Sequence, residues 1–349
     1  MTKKICFFSA GFAFNRLNRM RFYEKALPKD TEIFLFTTDR WKGKKDAYQY
    51  EWSGLKRTKI IVAKYNWTLP FQLRKFCREN KIDRLVNIGN RAAMYLFLMA
   101  RLFSKTEYIF NLMGWVPIWK EIIRNKNRKE LWDFIYFYFF AAFARKITVN
   151  DYGVYKGFTD KNKPLFFNIF RGINVSFLPP PVDTELFKPK NKNKCREKLG
   201  MPLNKRIIIF IGRVNIRKGS DVLIELIKRN KDFLFIVIGK PGDKNFEELR
   251  KKQKNIIYFE KKDPEELKDY YGAADIAFLF QRIRGSGLGQ VAHEALACGI
   301  PTFAPAVEIP EKTSIIYQIP PNGVFNNGFI YNTEYAANMA DKIIKDFFK

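Results

Sequence analysis

The sequence predicts an α/β protein of two doubly wound, mostly parallel sheets, one in each half of the chain. Three observations carry that prediction. Short apolar runs alternate with longer amphipathic stretches from the first residues onward, the exchange of period expected when strands feed helices. The second half opens on RIIIFI, Arg206 to Ile211, a run apolar enough for a central parallel strand covered on both faces. Between the halves Pro179, Pro180 and Pro181 are consecutive, and adjacent prolines end regular structure. A length of 349 residues is also too great for one ordinary core and suits two domains.

Taken in order, Ile5 to Phe8 reads as the first strand, and Gly11 lies in the turn after it, among the candidate binding positions. A helix is expected near Leu17 to Leu27, then the strand Glu32 to Thr37, the strand Lys59 to Ala63, a helix over Pro70 to Glu79 and the strand Arg84 to Ile88. Lys126 to Arg145 begins basic and becomes aromatic; one reading packs it on a core, another lays it in a membrane interface over anionic lipid. Arg145 to Asn150 and Asn174 to Leu178 read as further strands. These assignments give an N-terminal domain over 1–178, a linker over 179–203 and a C-terminal domain over 204–332.

In the second domain, Gly212 ends the pure strand and a helix covers Asp221 to Arg229. Strands at Phe233 to Ile238, Ile256 to Phe259 and Asp275 to Phe280 alternate with helices at Phe246 to Gln253 and Pro264 to Tyr271. The next helix runs from Leu288 through Cys298, followed by a short strand, Pro301 to Ala304. A closing helix over 333–349 carries Ala336, Ala337, Ala340 and Ile344 on one stripe and is expected to pack back towards the N-terminal domain.

Apolar residues at 47% support a packed fold, and a net charge of +28 points to phosphate, on a nucleotide, a nucleic acid or an anionic membrane. A nucleic-acid reading rests mainly on that charge, because the sequence lacks an RNP aromatic strand, a KH loop or a zinc-finger pattern. Cys6, Cys77, Cys195 and Cys298 are far apart, which predicts a reduced compartment with neither disulfides nor a zinc site. The N-terminus reads as a strand rather than a signal peptide, no segment reaches spanning length, and a cytoplasmic or peripheral membrane location is expected.

Ligands of open α/β sheets collect beyond the carboxyl ends of the strands. Two stretches occupy that place. G-R-V-N-I-R-K-G, Gly212 to Gly219, follows the pure strand and offers Arg213, Arg217 and Lys218 as phosphate donors. R-G-S-G-L-G-Q-V-A-H-E-A-L-A-C-G-I-P, Arg284 to Pro301, puts Gly285, Gly287 and Gly289 at a helix start, where free amides suit a diphosphate. Gln290 and Glu294 share one helical face, and Glu294 is placed to accept from ribose hydroxyls. His293, its neighbour, points elsewhere on the helix, and Cys298 reads as a packed thiol.

Together these stretches resemble the retaining glycosyltransferases of family four, which have the GT-B fold of two such domains facing across a cleft. V-D-T-E-L-F-K-P (Val182 to Pro189) resembles the family's V-D-x-x-x-F-x-P, with prolines in place of its usual Asn-Gly. G-R-V-N-I-R-K-G matches G-R-x-x-x-x-K-G, Y-G-A-A-D (Tyr271 to Asp275) matches Y-x-x-A-D, and Gly287 to Pro301 matches G-x-G-x-x-x-x-E-A-x-A-x-G-x-P. The likeness is strong from Pro179 onward and weak before it. It implies that Arg213 and Lys218 bind the donor diphosphate and act in catalysis with Glu294, which holds the ribose. Gly212, Gly287, Leu288, Gly289 and Gln290 complete the donor site. Ser286 stands where the family carries the first of two glutamates, the one associated with the donor sugar, and Arg284 nearby is the candidate to substitute for it. The comparable first-domain stretch is Asn111 to Pro117, in which Asn111 or Trp115 meets the sugar or acceptor.

The resemblance implies transfer from a UDP-sugar or GDP-sugar to a saccharide or lipid-linked acceptor, with retention, no cofactor and no metal. Two other readings stand beside it: a nucleotide-sugar-binding protein that has lost transfer, and another GT-B enzyme such as an epimerase or hydrolase.

Overall fold

The computed structural model describes residues 3–9, 14–39, 54–88, 105–112, 144–150, 152–159, 174–280, 289–305, 316–319 and 333–348. The chain forms two compact units, Met1–Pro181 and Val182–Lys349. Each is built on one parallel sheet.

The first unit has the strands β1 (Lys4–Ser9), β2 (Glu32–Thr38), β3 (Thr58–Ala63), β4 (Arg84–Asn87), β5 (Glu107–Leu112), β6 (Lys146–Val149) and β7 (Asn174–Phe177). They lie in the order β3-β2-β1-β4-β5-β6-β7. Helices α1 (Phe14–Ala26), α2 (Leu69–Glu79) and α3 (Tyr152–Thr159) connect them. Successive strand residues point to opposite faces, and both faces are buried. Cys6, Phe8, Phe34 and Phe36 pack against Leu69, Leu73 and Cys77 of α2. Ile5, Phe7, Ile33 and Leu35 pack with Met20 of α1 on the other side. That double covering is why β1 and β2 read as unbroken apolar runs rather than alternating ones.

The second unit repeats the plan with β8 (Ile207–Ile211), β9 (Leu234–Ile238), β10 (Ile256–Phe259), β11 (Ile276–Phe278), β12 (Thr302–Pro305) and β13 (Ile316–Ile319). Their order is β10-β9-β8-β11-β12-β13. Helices α4 (Lys192–Lys198), α5 (Ser220–Arg229), α6 (Lys244–Lys252), α7 (Pro264–Ala273), α8 (Gln290–Ala297) and α9 (Thr333–Phe347) accompany them. Ile208 and Phe210 face α5 and α9, while Ile207 and Ile209 face Tyr270 and Tyr271 of α7 and Ala295 of α8.

One segment differs from the sequence expectation. Residues 182–203, expected as a linker, hold α4 and pack into the second unit. Arg196, only 3% exposed, donates to Asp275 Oδ2 at 2.8 Å, to the Ala273 carbonyl at 2.9 Å and to the Leu203 carbonyl at 2.7 Å. Lys190 and Lys198 both pair with the buried Asp269 on α7. At the other end of the unit, α9 docks on α5. Asn230 donates to Asp341 at 2.9 Å and Arg229 to Asn338 at 2.6 Å. The Arg206 guanidinium sits 4.8 Å from the Phe348 ring. The small residues Ala336, Ala337 and Ala340 let this helix approach closely, so the apolar stripe finds its partner nearby.

Most of Lys126 to Arg145 lies outside the described residues. Among the described residues no helix is long and apolar enough to cross a membrane.

Candidate functional site

The winding of the second sheet defines where a ligand fits. From β8 the chain builds outward through β9 and β10, then returns to place β11 on the other side of β8. β8 and β11 therefore flank the point where the strand order reverses, and the carboxyl end of that point is the ligand position of open α/β sheets. Glycine shapes the approach. Gly239, at φ 155°, ends β9 so close to β8 that a Cβ there would lie 1.8 Å from the Gly212 carbonyl oxygen. Gly219, at φ 76°, passes against the end of β11, where a Cβ would meet the Phe280 carbonyl oxygen at 2.7 Å.

Between Gly212 and Gly219 the chain makes a single 3-10 turn, Ile216–Lys218. Asn215 caps it, its side-chain oxygen accepting from the Lys218 backbone amide at 3.1 Å. The cap fixes the direction in which Lys218 leaves the backbone. Its ammonium is half-buried, and burial and then the neighbouring Arg213 lower its pKa. Among the described residues no carboxylate pairs with Arg213 or Lys218. Two adjacent cations that repel one another, with one partly desolvated, cost stability in the empty protein. A dianion between them removes the repulsion, and the forked guanidinium and mobile ammonium suit phosphate oxygens.

The second component is Glu294 on α8, only 7% exposed. Tyr271 donates to its Oε2 at 3.2 Å, and Gln290 Nε2 donates to its Oε1 at 3.2 Å. Burial raises its pKa to about 7, although both hydrogen bonds pull the other way. The Tyr271 hydroxyl also lies 3.2 Å from the Val291 carbonyl, and Phe187 packs edge-on against its ring. The sequence reading gave Tyr271 no role; the signal was available, since a fully buried tyrosine needs a partner for its hydroxyl. Gly289 precedes α8 without a side-chain cap, so the first amides of the helix are not closed off by a side chain. Cys298 is buried and its thiol is pushed up to about 12, first by burial and then by Glu294, which leaves it inert as a nucleophile.

The structure thus brings Gly212, Arg213, Lys218, Gly289, Gln290 and Glu294 to the carboxyl side of β8 and β11. Arg284, Ser286, Gly287, Leu288, Gly11 and Trp115 lie outside the described residues. Asn111 does not have the exposure expected of a ligand contact. It is 1% exposed, accepts from Thr148 Oγ1 at 3.3 Å and lies 3.5 Å from the Tyr23 hydroxyl. Its backbone exchanges bonds of 2.8 and 2.9 Å with the Asn87 side chain. These bonds tie β4, β5 and β6 together, so the side chain is spent on structure.

Comparison with known proteins decides the kind of unit this is. Residues 191–346 match the family of glycosyl transferases group 1. The match covers most of the second unit, Val182–Lys349. D-inositol 3-phosphate glycosyltransferase 2 of Catenulispora acidiphila is 33% identical over 38% of this chain and 35% of its own length. D-inositol 3-phosphate glycosyltransferase of Xylanimonas cellulosilytica is 30% identical over the same shares, 38% and 35%. The chain therefore matches about a third of the length of these curated relatives. Among solved structures, sucrose-phosphate synthase from Thermosynechococcus elongatus gives a TM-score of 0.74 at 16% identity, covering 99% of this chain and 90% of that one. HepE of Anabaena, in complex with UDP-glucose, gives 0.69 at 14% identity, covering 99% and 90%. At these identities the likeness shows the fold, which is GT-B. Within the matched residues, Arg213 and Lys218 follow the first strand and Glu294 lies on the helix after β11.

Proposed function

We propose that the protein is a retaining glycosyltransferase of family four that moves a sugar from a nucleoside-diphosphate sugar to a saccharide or lipid-linked acceptor. The observation that carries this reading is the Arg213 and Lys218 couple, without a carboxylate partner among the described residues, at the switch point of a unit that matches the group 1 glycosyl transferases. HepE was solved with UDP-glucose, which supports a UDP-sugar as the first donor to test.

In this mechanism Glu294 accepts from the ribose hydroxyls, as its ionised form, and fixes the nucleoside. The diphosphate lies against Arg213, Lys218 and the open start of α8. As the bond from the anomeric carbon to the phosphate oxygen lengthens, positive charge grows on the sugar and negative charge on the departing phosphate. The two cations stabilise that phosphate more strongly as its charge grows, which is the condition for lowering the barrier. The acceptor hydroxyl attacks from the face the phosphate leaves, and the phosphate takes its proton. The configuration is thereby retained without a carboxylate nucleophile, and the scheme routes no step through a metal ion.

A thermal-shift screen of UDP- and GDP-sugars in chelator tests the donor site. A donor at a hundredfold its Kd stabilises the protein by about 2.7 kcal/mol. The cognate sugar is then incubated with saccharide acceptors and the product anomer read by NMR. Transfer with retention supports the proposal. Binding without transfer or hydrolysis identifies a binding protein instead, the outcome to which Ser286 in place of glutamate points. No stabilisation by any donor overturns the site.

A further inference from the structure

Five of the seven large apolar side chains exposed among the described residues fall between positions 60 and 71. Ile60 and Val62, alternate residues of the edge strand β3, are 41% and 55% exposed, and Tyr65, Trp67 and Phe71 are 43%, 82% and 46% exposed. Alternation puts Ile60 and Val62 on one face of the strand. The aromatic residues follow at the carboxyl end of β3 and the start of α2, where the Trp67 and Phe71 rings meet at right angles with centroids 6.4 Å apart. Scattered exposed apolar residues need no explanation, but a contiguous group marks a surface that something covers.

The loop that presents these rings is built rather than loose. Asp39 accepts from the Tyr65 amide at 2.8 Å. Asn66 accepts from the Thr68 amide at 3.0 Å and from its hydroxyl at 2.6 Å, and Gln72 donates to that hydroxyl at 2.8 Å. Helix α2 buries Leu69, Leu73 and Cys77, so its outer face aligns Phe71, Lys75 and Arg78 at helical spacing. The side chains of Lys59 and Lys75 are 67% and 70% exposed. Between Gly54 and Lys81 the chain carries eight basic residues and one acidic residue.

We infer that this aromatic and basic patch of the first unit docks the protein on an anionic lipid bilayer. Tryptophan and tyrosine favour the depth of the headgroups, where the ring meets hydrocarbon and its polar edge meets water. Lys64 and Lys75, close to the rings in the chain, meet lipid phosphate there, and aliphatic Ile60 and Val62 add apolar area to the insertion. A second copy of the chain would set Lys64 and Lys75 against their own counterparts, which opposes self-association. A nucleic acid would match the charge but has no use for exposed isoleucine and valine. The patch lies at the carboxyl edge of the first sheet, so docking brings that edge to the membrane. This inference rests on the first unit alone, and its failure leaves the donor site standing.

The test is co-sedimentation of the full chain with vesicles of phosphatidylcholine, with and without phosphatidylglycerol. The wild type is expected to pellet with the anionic vesicles only. The double substitution Trp67→Ser and Phe71→Ser, at exposed positions, is expected to lower binding at least tenfold with an unchanged melting temperature. Lys64→Glu with Lys75→Glu is expected to do the same, at about fivefold for each charge removed. Binding by the aromatic variant equal to wild type overturns the inference, as does a wild type that ignores anionic vesicles. A dimer in solution that the same variant dissociates assigns the patch to self-association instead. Retention of single-stranded RNA through the patch, uncompeted by lipid, assigns it to nucleic acid.

Discussion

Replacing Glu294 by glutamine is expected to make the empty protein more stable at mildly alkaline pH and no more stable in acid. The carboxyl ionises near 4.5 when free and at about 7 in the fold. A folded pKa above the unfolded one means that the native state holds its proton longer. The stability this gives is complete below about pH 4.5 and lost as the pH rises through about 7. The loss above that range is the difference of about 2.5 pKa units at 1.36 kcal/mol each, or about 3 kcal/mol. Glutamine reproduces the protonated acid. Its oxygen can accept from Gln290, its amide can donate to the Tyr271 oxygen, and Tyr271 can donate to the Val291 carbonyl 3.2 Å away. The variant should therefore match wild type near pH 4.5 and exceed it near pH 8 by a margin worth about 6–12 °C in melting temperature. Cys298, pushed up to about 12, stays protonated throughout and adds nothing. Calorimetric melts of both proteins across this pH range measure the difference. A change that does not vary with pH, or a less stable variant at pH 8, would refute the account of a carboxylate kept for a ligand at the expense of the fold.

Alanine at Lys218 should abolish most transfer while leaving the melting temperature unchanged or higher, because it removes repulsion with Arg213; near-normal turnover in a donor assay would count against the site. Alanine at Gly239 should destabilise the second unit by about 3 kcal/mol or more, since its Cβ would lie 1.8 Å from the Gly212 oxygen. Denaturant titration reads that loss, and a variant as stable as wild type would mean that β8 and β9 are not so closely joined.

The strands that were legible in the sequence are those buried on both faces. RIIIFI became β8, bar its first residue, and the runs before Gly239 and Gly11 became β9 and β1. The strand β5, EYIFNL, was missed because its polar residues Glu107 and Asn111 interrupt the apolar run. Helix α4, KNKCREK, was missed for a different reason: its composition is that of a solvated loop. What holds it is Asp269 and Asp275, more than seventy positions further along, and no local pattern announces such partners. The candidate site divides the same way. Arg213, Lys218 and Glu294 were visible because glycines and a helix start surround them. Tyr271 was hidden inside a motif, and nothing local to Asn111 announces that its amide is consumed by Thr148 and Tyr23, 37 and 88 positions away.

The grip of α4 on α7 also fixes where the C-terminal half can be cut free. A fragment starting at Arg206 would strip Asp269 and Asp275 of Lys190, Lys192, Arg196 and Lys198, stranding two carboxylates inside a protein that can no longer neutralise them. Excision before Val182 keeps all four cations, so the shortest fragment able to stand by itself carries the segment that looks, by composition, most expendable.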